Sequence, residues 1–370
     1  MRIGFVVPRC TPDNSHGRYV IGLATRLAAE RDVTVYAGAF WPPLPSAIRR
    51  RQLPVPNRPA VARLAALWSA SLAAMQWQRF DIVHIQGADA PVGNVVTAHC
   101  CNAAMREAAP PTPTLRRRAN YAIGIAVERY CFAKPATRAV IAVSNKVKEE
   151  IERHYGVESR KIVVLAPGVD TELFHPRHRD EVRPAVRGRL RLAPDDFVVA
   201  FVGGDYRLKG LVPLLESVRV AQAPVNVLAI GVTADAALRG LVAREGLVRR
   251  VRFLGNVADI ASLYAAADCF VLPTRYDTFS LATLEAMASG LPVIVSRAAG
   301  VSEHLTDGVD ALLLDDPDDT EIIAGHLRRL ADDPGLRAEL SRAARRTAEQ
   351  HSWERVVEQT LVVYGRVLGW

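Results

Sequence analysis

Short apolar segments rich in valine and isoleucine alternate with longer amphipathic segments along most of the chain. A short apolar run bounded by turn residues is typical of a buried strand, and apolar residues spaced three or four apart are typical of a helix. The alternation therefore predicts an α/β protein with parallel sheets. In the first half, the predicted strands are Ile3–Val7, Val33–Tyr36, Ile82–Ile85, Asn94–Ala98, Ala139–Val143 and Ile162–Leu165. The predicted helices there are Gly17–Glu30, Ala60–Gln76, Arg118–Phe132 and Asn145–Tyr155.

A segment without apolar periodicity, from 171 to 194, interrupts the alternation. Its three prolines and many charges predict a linker and an entry loop. After it, the predicted strands are Val198–Val202, Asn226–Ile230, Val251–Leu254, Cys269–Leu272, Pro292–Val295 and Ala311–Leu314. Helices are predicted to begin near Lys209, Ala234, Ile260 and Phe279. The chain from 319 onward is predicted to be almost entirely helical, with breaks near 333 and 351.

The two successive alternations predict two Rossmann-like, doubly wound domains. A chain of 370 residues is too long for one ordinary hydrophobic core. We assign the first domain to 1–175, the second to 176–350, and to 351–370 a last helix that crosses back to the first domain. Ligands of open α/β sheets bind outside the carboxyl ends of the strands, so we expect a site in a cleft between the domains.

The formal net charge of +8 is concentrated in the first half of the chain. Residues 1–175 hold 23 Lys and Arg against 13 Asp and Glu, a balance of +10, whereas the remainder holds 24 against 26. Two arginine triplets, 49–51 and 116–118, lie in proline-rich segments predicted as loops. The excess is equally consistent with solvated loops and with attraction to an anionic acceptor or a membrane surface. Nucleic acid is not an expected partner, because aromatic residues do not interleave with the basic runs.

Other patterns argue against export, membrane crossing and metal binding. The apolar run at the start is too short for a signal peptide, and the longest apolar stretch is broken by Arg63. The five cysteines form no Cys-x-x-Cys pair, which favours reduced thiols. The Asp-Pro-Asp at 316–318 precedes a predicted helix, where aspartate is favoured as a cap. We expect a cytoplasmic protein, able to bind at the inner face of the membrane, that needs neither metal nor cofactor.

Two carboxylates, Asp277 and Glu285, bracket a predicted strand-to-helix transition. Asp277 falls in the loop, and Glu285 falls about two turns into the helix. The start of a helix has unpaired backbone N–H groups that suit a phosphate, whereas carboxylates accept hydrogen bonds from sugar hydroxyls. The bracket therefore predicts a receptor for a nucleotide-sugar.

A glycine loop with two cations, Arg207 and Lys209, follows the first strand of the second half. Glycines such as Gly204 let the backbone approach a ligand closely, and the cations can hold a diphosphate. If Arg207 and Lys209 were only solvated surface charges, they would need no ligand to explain them. Their occurrence in the domain that also carries the two carboxylates favours a diphosphate site.

The chain resembles the retaining glycosyltransferases of family 4 (glycosyl transferases group 1), which have the GT-B fold. The resemblance covers nearly the whole chain. In the second half it is carried by VLAPGVDTELF at 164–174, the Lys209-Gly210 turn, FLGNV at 253–257, the segment 277–290 and GVSE at 300–303. In the first half it is looser, through the loop at Gly17, FDIVH at 80–84, VTAH at 96–99 and AVS at 142–144.

The resemblance implies a nucleotide-sugar site in the second domain and an acceptor site in the first. Glu285 is then expected to accept hydrogen bonds from the ribose, and Asp277 from the donor sugar. Arg207 and Lys209 are expected to stabilise the leaving diphosphate, while His99 faces the donor sugar from the first domain. The other expected donor-binding residues are Gly17, Gly204, Val257, Thr278, Phe279, Ser280 and Leu281.

Two positions depart from the family pattern. Asp277 stands where the family usually has glutamate, so its reach is one methylene shorter. Gly204 stands where the family usually has arginine, so Arg207 is expected to replace that arginine. A similar shortened loop occurs in relatives that act on bacterial lipopolysaccharide cores.

The resemblance further implies a metal-independent hexosyltransferase with a nucleotide diphosphate donor, UDP-sugars being favoured and GDP-mannose next. The expected acceptor is a glycan or lipid-linked glycan of bacterial surface polysaccharide or lipopolysaccharide synthesis. Three alternatives stay open: an inverting transferase with His16, on the acceptor side, as base; a sugar-nucleotide epimerase; and a binding module without catalysis. His99 is also compatible with a buried core histidine, and Glu285 with a solvent-facing residue.

Overall fold

The computed structural model describes residues 1–12, 14–41, 43–56, 60–75, 79–108 and 114–370. The chain divides into two compact units: unit 1, which contains residues 1–168 and 353–370, and unit 2, which contains residues 169–352. The first change of unit thus falls at Gly168 rather than after residue 175. The end of the predicted helix at Gln76 lies outside the described residues.

Unit 1 is built around a parallel sheet, because its short apolar runs are buried on both faces. The described strands are β1 (Arg2–Val7), β2 (Asp32–Ala37), β3 (Ile48–Gln52), β4 (Ile82–Gln86), β5 (Val95–Ala98), β6 (Ala139–Ala142) and β7 (Ile162–Val164). Their order in the sheet is β3-β2-β1-β4-β5-β6-β7. The helices among the described residues up to 168 are α1 (Ser15–Leu27), α2 (Ala60–Met75), α3 (Asn102–Ala108), α4 (Leu115–Ala133) and α5 (Asn145–Tyr155).

Unit 2 repeats the plan with a parallel sheet of six strands. These are β8 (Phe197–Val202), β9 (Val225–Ile230), β10 (Val251–Gly255), β11 (Cys269–Leu272), β12 (Val293–Ser296) and β13 (Leu312–Leu314). The order is β10-β9-β8-β11-β12-β13. The helices are α6 (His178–Arg189), α7 (Leu211–Val220), α8 (Ala236–Arg244), α9 (Ile260–Ala266), α10 (Leu281–Ala288), α11 (Thr320–Asp332) and α12 (Pro334–Glu349). Every strand predicted in either half is confirmed, within one residue at each end.

The last helix, α13 (Trp353–Leu368), packs on α1 within unit 1. Trp353 lies against two glycines: a Cβ on Gly22 would approach its ring to 2.4 Å, and one on Gly168 to 2.8 Å. Tyr364 of α13 lies with its hydroxyl 2.7 Å from Nδ1 of His84 in β4. Burial lowers the pKa of His84 to about 3, so this imidazole is neutral in the folded core. The helix is therefore part of the core of unit 1.

The loop predictions for both arginine triplets were wrong. Residues 49–51 lie in the edge strand β3, where all three side chains are exposed and Arg49 pairs with Asp32 of β2. Charge on an edge strand discourages pairing with other chains. Residues 116–118 lie in the first turn of α4, which Thr114 caps by accepting from the N–H of Arg117.

The linker prediction was also wrong, because residues 178–189 form α6. Arg179, Arg183 and Arg187 are spaced by four and lie on one face of this helix. All three donate to the carboxylate of Asp268, just before β11, with N···O distances of 2.8, 2.6 and 2.7 Å. The helix is thereby attached to the sheet of unit 2 by a largely buried ionic cluster.

Backbone carbonyls complete this ionic cluster. Arg183 donates to the carbonyls of Ala265 and Ala267, and Arg187 donates to that of Ala266. These carbonyls end α9, where the helix dipole favours positive charge. They offset part of the excess positive charge that three guanidinium groups leave around one carboxylate.

Candidate functional site

The loop after β8 is held against the segment that follows β11. Gly210 has φ +79°, and a Cβ there would lie 1.8 Å from the carbonyl oxygen of Pro273, so only glycine fits. The carbonyl of Leu208 accepts from the N–H of Arg275 at 2.9 Å and from the hydroxyl of Thr274 at 3.1 Å. Because β8 and β11 are neighbours in a parallel sheet, both loops leave the same edge. This contact brings the loop that carries Lys209 next to the segment that carries Asp277.

Lys209 and Asp277 form an ion pair at this edge. The Lys209 Nζ lies 2.6 Å from Asp277 Oδ2, and both side chains are mostly buried. Asp277 Oδ1 also accepts from the N–H of Phe279 at 3.4 Å, and the Asp277 carbonyl accepts from the N–H of Gly300 at 3.1 Å. The Asp277 carboxylate is thus fixed in place, with the ammonium group of Lys209 directly beside it.

Arg207 has different neighbours from Lys209. Its Nε donates to the Tyr206 hydroxyl at 3.1 Å, and its guanidinium lies 5.5 Å from the centre of the Tyr206 ring. Tyr206 in turn donates to Asp235 at 2.9 Å. These contacts hold the exposed guanidinium on the tyrosine, whereas Lys209 is the cation that contacts Asp277.

An arginine that the sequence analysis did not single out supports this loop. Arg275 donates to both carboxylate oxygens of Asp318 and to the carbonyl of Arg207, the latter at 2.7 Å. Asp318 belongs to the Asp-Pro-Asp segment predicted to cap a helix. The cap of α11 is the next residue, Asp319, which accepts from Ile322 at 3.0 Å. Asp318 instead holds the loop that carries the two cations.

Acidic and thiol side chains do not gather into a metal centre in the part of the chain that the structure describes. No group of three or more His, Cys, Asp or Glu side chains there has the geometry to hold a metal ion. Charge at the candidate site comes from lysine, arginine and carboxylate side chains.

Helix α10 begins beside the ion pair. Its cap, Ser280, has φ +82° and ψ 77°, a conformation rare for a residue with a side chain. The Ser280 hydroxyl accepts from the N–H of Thr283 at 3.4 Å and lies 2.8 Å from its hydroxyl. Such backbone strain is typical of ligand-binding segments. The turn places the N-terminus of α10, which starts at Leu281, at the carboxyl ends of the strands, beside the ion pair.

Glu285 is buried in α10, with 4% of its surface exposed. It is the fifth residue of the helix, just over one turn in rather than two, because α10 starts at Leu281. The hydroxyl of Tyr264, on α9, donates to Glu285 Oε2 at 3.5 Å and to the Ala282 carbonyl at 3.1 Å. The solvent-facing interpretation of Glu285 is therefore wrong. Tyr264 is a site residue that the sequence analysis missed.

The other donor-site candidates of unit 2 occupy loops at its strand ends. Val257 lies half-buried between β10 and α9, and Thr278 lies half-buried between Asp277 and Phe279. Gly204 is exposed, and a Cβ there would meet nothing within 4 Å. Its position therefore does not require glycine for packing.

A second polar cluster lies in unit 1, where β1, β4 and β5 end. The rings of His16 and His99 stack with centroids 4.3 Å apart. His16 Nδ1 lies 3.3 Å from Asp89 Oδ2, and His99 Nε2 donates to Gln86 Oε1 at 2.8 Å. Burial, and then the charges of nearby His16 and His84, lower the pKa of His99 well below its usual value. His99 is therefore neutral around pH 7.

Two of these residues, Gln86 and Asp89, were missed from sequence. Gln86 is the last residue of β4 and Asp89 comes shortly after it, and polar residues at the carboxyl ends of neighbouring parallel strands converge. That signal was available. The Gln86 side-chain nitrogen is buried and has no hydrogen-bond partner among the described residues, so Gln86 can still donate to a ligand.

Gly17 has a structural requirement of its own. A Cβ at Gly17 would lie 2.1 Å from the carbonyl oxygen of Thr11 and 2.8 Å from that of Arg9. The Gly17 N–H donates to the side chain of Asn14, the cap of α1, at 2.7 Å. The glycine lets α1 start tightly against the loop after β1, next to His16.

A buried carboxylate on α4 fixes the loop that begins at His99. Glu128 is 3% exposed and accepts from the N–H of Asn102 at 2.7 Å, from the hydroxyl of Tyr155 at 2.5 Å and from the thiol of Cys100 at 3.4 Å. Burial raises its pKa, and these donors oppose that shift. No sequence pattern pointed to Glu128, because a single glutamate on a helix is ordinary.

Comparisons with known proteins agree with this architecture. Residues 16–173 match the sequence profile described as "Glycosyltransferase Family 4", and residues 196–333 match the one described as "Glycosyl transferases group 1". With the two parallel α/β sheets, these matches place the protein in the class of GT-B glycosyltransferases. The chain belongs to glycosyltransferase family 4.

A curated relative shows the extent of the similarity in sequence. The D-inositol 3-phosphate glycosyltransferase of Salinispora tropica is 34% identical over 250 residues, which are 63% of this chain and 52% of that protein. The chain thus spans about half the length of the curated relatives it matches.

The similarity to solved structures extends over both units. WaaG, described as a glycosyltransferase involved in lipopolysaccharide biosynthesis, has a TM-score of 0.84 at 21% identity and covers all of both chains. HepE of Anabaena, solved with UDP-glucose, has a TM-score of 0.77 at 19% identity and covers 99% of this chain and 100% of its own. At these identities the similarity shows the fold alone.

Proposed function

We propose that this protein transfers a sugar from a nucleotide diphosphate donor, a UDP-sugar before GDP-mannose, to a glycan or glycolipid acceptor, with retention of the anomeric configuration. The observation that carries the proposal is the Lys209–Asp277 pair beside the strained start of α10. Asp277 can accept hydrogen bonds from the sugar, while Lys209 and the N–H groups of the helix start can hold the diphosphate.

The proposed reaction exchanges one bond at the anomeric carbon. The bond from this carbon to the phosphate oxygen breaks, and its electron pair leaves with the nucleoside diphosphate. The acceptor hydroxyl attacks from the same face, and its proton moves to the departing phosphate oxygen. Lys209 stabilises the negative charge that grows on that oxygen, which is the electrostatic role with the largest effect in such transfers.

The acceptor is proposed to carry negative charge. The excess of Lys and Arg lies in the first half of the chain. The curated relatives are named for D-inositol 3-phosphate, which bears a phosphate, and WaaG is named for lipopolysaccharide biosynthesis. An acceptor panel should therefore contain inositol 3-phosphate, lipid-linked glycans of the bacterial surface and their neutral counterparts.

A panel of UDP- and GDP-sugars tests the donor. One sugar nucleotide should raise the melting temperature most, because a ligand stabilises the state that binds it. Glu285→Gln should weaken its binding roughly 10- to 100-fold, since a hydrogen bond to a charged group contributes about 1.5–3 kcal/mol. Exposed Glu339→Gln on α12 is the matched control and should bind as the wild type does. Binding and turnover of no donor at all would contradict the proposal, and release of an epimer without acceptor would favour the epimerase.

One contact favours the inverting alternative. His16 lies 3.3 Å from Asp89, the arrangement in which a carboxylate orients a histidine that acts as general base. The anomeric proton of the product distinguishes the mechanisms by its NMR coupling. We expect the donor configuration to be kept and His16→Ala to retain at least a tenth of the wild-type kcat, since base catalysis typically contributes about 100-fold or more. An inverted product together with loss of activity in His16→Ala would identify His16 as the base.

A further inference from the structure

A basic cavity lies in unit 1 at the amino ends of β6 and β7. His16 and His99 lie at the other end of the sheet, where the carboxyl ends of the strands are. The volume of the cavity is about 430 Å³. The end of α13 forms one wall, and the chain around the starts of β6 and β7 forms the other. Four of its lining residues are cations: Arg138, Arg160, Lys161 and Arg366.

Most of this positive charge is not neutralised within the protein. Arg138 donates to the carbonyl of Val367 at 2.9 Å, a contact that leaves its charge uncompensated. Arg160 pairs with Glu158, and this is the one acid bound to the four cations among the described residues. Within the same described part of the chain, Lys161 and Arg366 have no ion-pair partner. The cavity therefore favours an anion.

Apolar surface lies directly beside these cations. The cavity is also lined by valines 163, 363 and 367 and by Leu368. Val362 and Arg366 are spaced by four on the outer face of α13, and Trp370 follows just beyond the end of the helix, where its N–H donates to the carbonyl of Gly365 at 2.9 Å. Val362 is 56% exposed and Trp370 is 82% exposed. Exposed tryptophan next to arginine is typical of a surface at the boundary between lipid and water.

We propose that this cavity, together with the exposed side chains of Val362 and Trp370, forms a docking site for the phosphate headgroups of an anionic membrane. Guanidinium and ammonium groups bind phosphate oxygens, and Trp370 can enter the headgroup layer. A flat lipid surface fits the combination of an open cavity with the exposed side chains of Val362 and Trp370, whereas a free phosphate would use the cations alone. None of the helices in the described residues has the length and hydropathy to cross a bilayer, so contact would be peripheral.

The site is distinct from the two arginine triplets of the basic half. Residues 49–51 lie on β3, at the opposite end of the strand order from β7, and residues 116–118 lie on α4. The cavity instead joins the starts of β6 and β7 to the end of α13, which is remote from both strands in sequence. The proposal does not rest on the proposed function, because vesicle binding is measured without turnover.

Sedimentation of the full chain with vesicles tests the proposal. Wild-type protein should bind phosphatidylcholine vesicles containing about a third phosphatidylglycerol, and should not bind pure phosphatidylcholine. A Lys161→Gln, Arg366→Gln double variant should bind roughly 25-fold more weakly, because each basic residue near an anionic surface contributes about a factor of five. Trp370→Ser should weaken binding without changing its salt dependence.

The matched control is the double variant Arg50→Gln, Arg51→Gln. It removes two exposed charges from β3, the outermost strand on the side of the same sheet opposite to β7. It should change binding less than twofold, and melting temperatures should show that all variants are folded. An equal loss in both double variants would overturn the proposal in favour of general charge attraction. So would absence of wild-type binding, or complete displacement by millimolar glycerol phosphate, which would indicate a site for a free phosphate.

Discussion

Replacing Lys209 with methionine is expected to lower the kcat of the proposed sugar transfer about 100-fold or more, because methionine keeps much of the side-chain length and removes the charge beside Asp277. Loss of one preorganised electrostatic group commonly costs about 100- to 1,000-fold in rate. The Lys209 Nζ is 2.6 Å from Asp277, at the sheet edge where α10 begins. We expect KM for the donor to change much less than kcat, since the charge on the leaving diphosphate increases as the bond breaks. Steady-state kinetics with the donor found by the panel measures both.

Two further variants define what the Lys209 result means. Arg219→Met removes an exposed arginine of α7 that pairs with Glu245, and it should leave kcat unchanged. Arg207→Met removes the cation held on Tyr206 and should cost less than Lys209→Met, because Arg207 does not share the contact with Asp277. A folded Lys209→Met variant with kcat within threefold of wild type would contradict the role assigned to this lysine.

Replacing Asp268 with asparagine is expected to lower the free energy of unfolding of unit 2 by about 3–5 kcal/mol, the usual cost of leaving buried charges without their partner. Three guanidinium groups meet this one carboxylate, and Arg187 among them is only 3% exposed. The amide of an asparagine could accept hydrogen bonds but could not neutralise any of the three charges. Denaturant unfolding, followed by a probe in unit 2, measures the loss.

Two control variants come from the same region. Asp195→Asn removes an exposed carboxylate before β8 and should have almost no effect. Arg187→Met should destabilise more than Arg179→Met, because Arg187 is almost completely buried and binds four carbonyls, whereas Arg179 is 38% exposed. Equal stability of Asp268→Asn and wild type would show that the cluster contributes nothing to the fold.

The Asp268 cluster also has a predictable pH dependence. Burial raises the pKa of Asp268, but the charges of Arg183 and Arg187 and the N–H of Val198 outweigh it, so the folded-state pKa is lowered. A carboxyl group whose pKa is lower in the folded state stabilises the fold above its unfolded pKa of about 3.9. This contribution is lost as the pH falls through the folded-state value. Below about pH 4, wild type should therefore lose stability more steeply than Asp268→Asn.

Most strands could be predicted because a parallel strand that is buried on both faces leaves a continuous apolar run. The edge strand β3 was missed because it has no such apolar run: only Ile48 of its residues is buried. Helix α6 was missed because Pro184 and its charges conceal the period of a helix, although the arginine spacing of four was visible. The contacts of the α6 arginines with Asp268 and with the carbonyls of α9 compensate for the backbone hydrogen bond that Pro184 cannot make.

The sequence by itself determined most of the element types, the family and the bracket of Asp277 and Glu285. These depend on short-range patterns: burial period, loop composition and motif spacing. Only the tertiary structure decided that Lys209 rather than Arg207 contacts Asp277, that Glu285 is buried under Tyr264, and that His16 lies beside Asp89. The first and third of these contacts join residues far apart in the chain, and they meet because their strands are neighbours in a sheet. Tyr264 and Glu285 meet because α9 and α10 lie on either side of β11 in the chain and pack together. Strand order follows from the packing of the whole domain, so no local pattern encodes it.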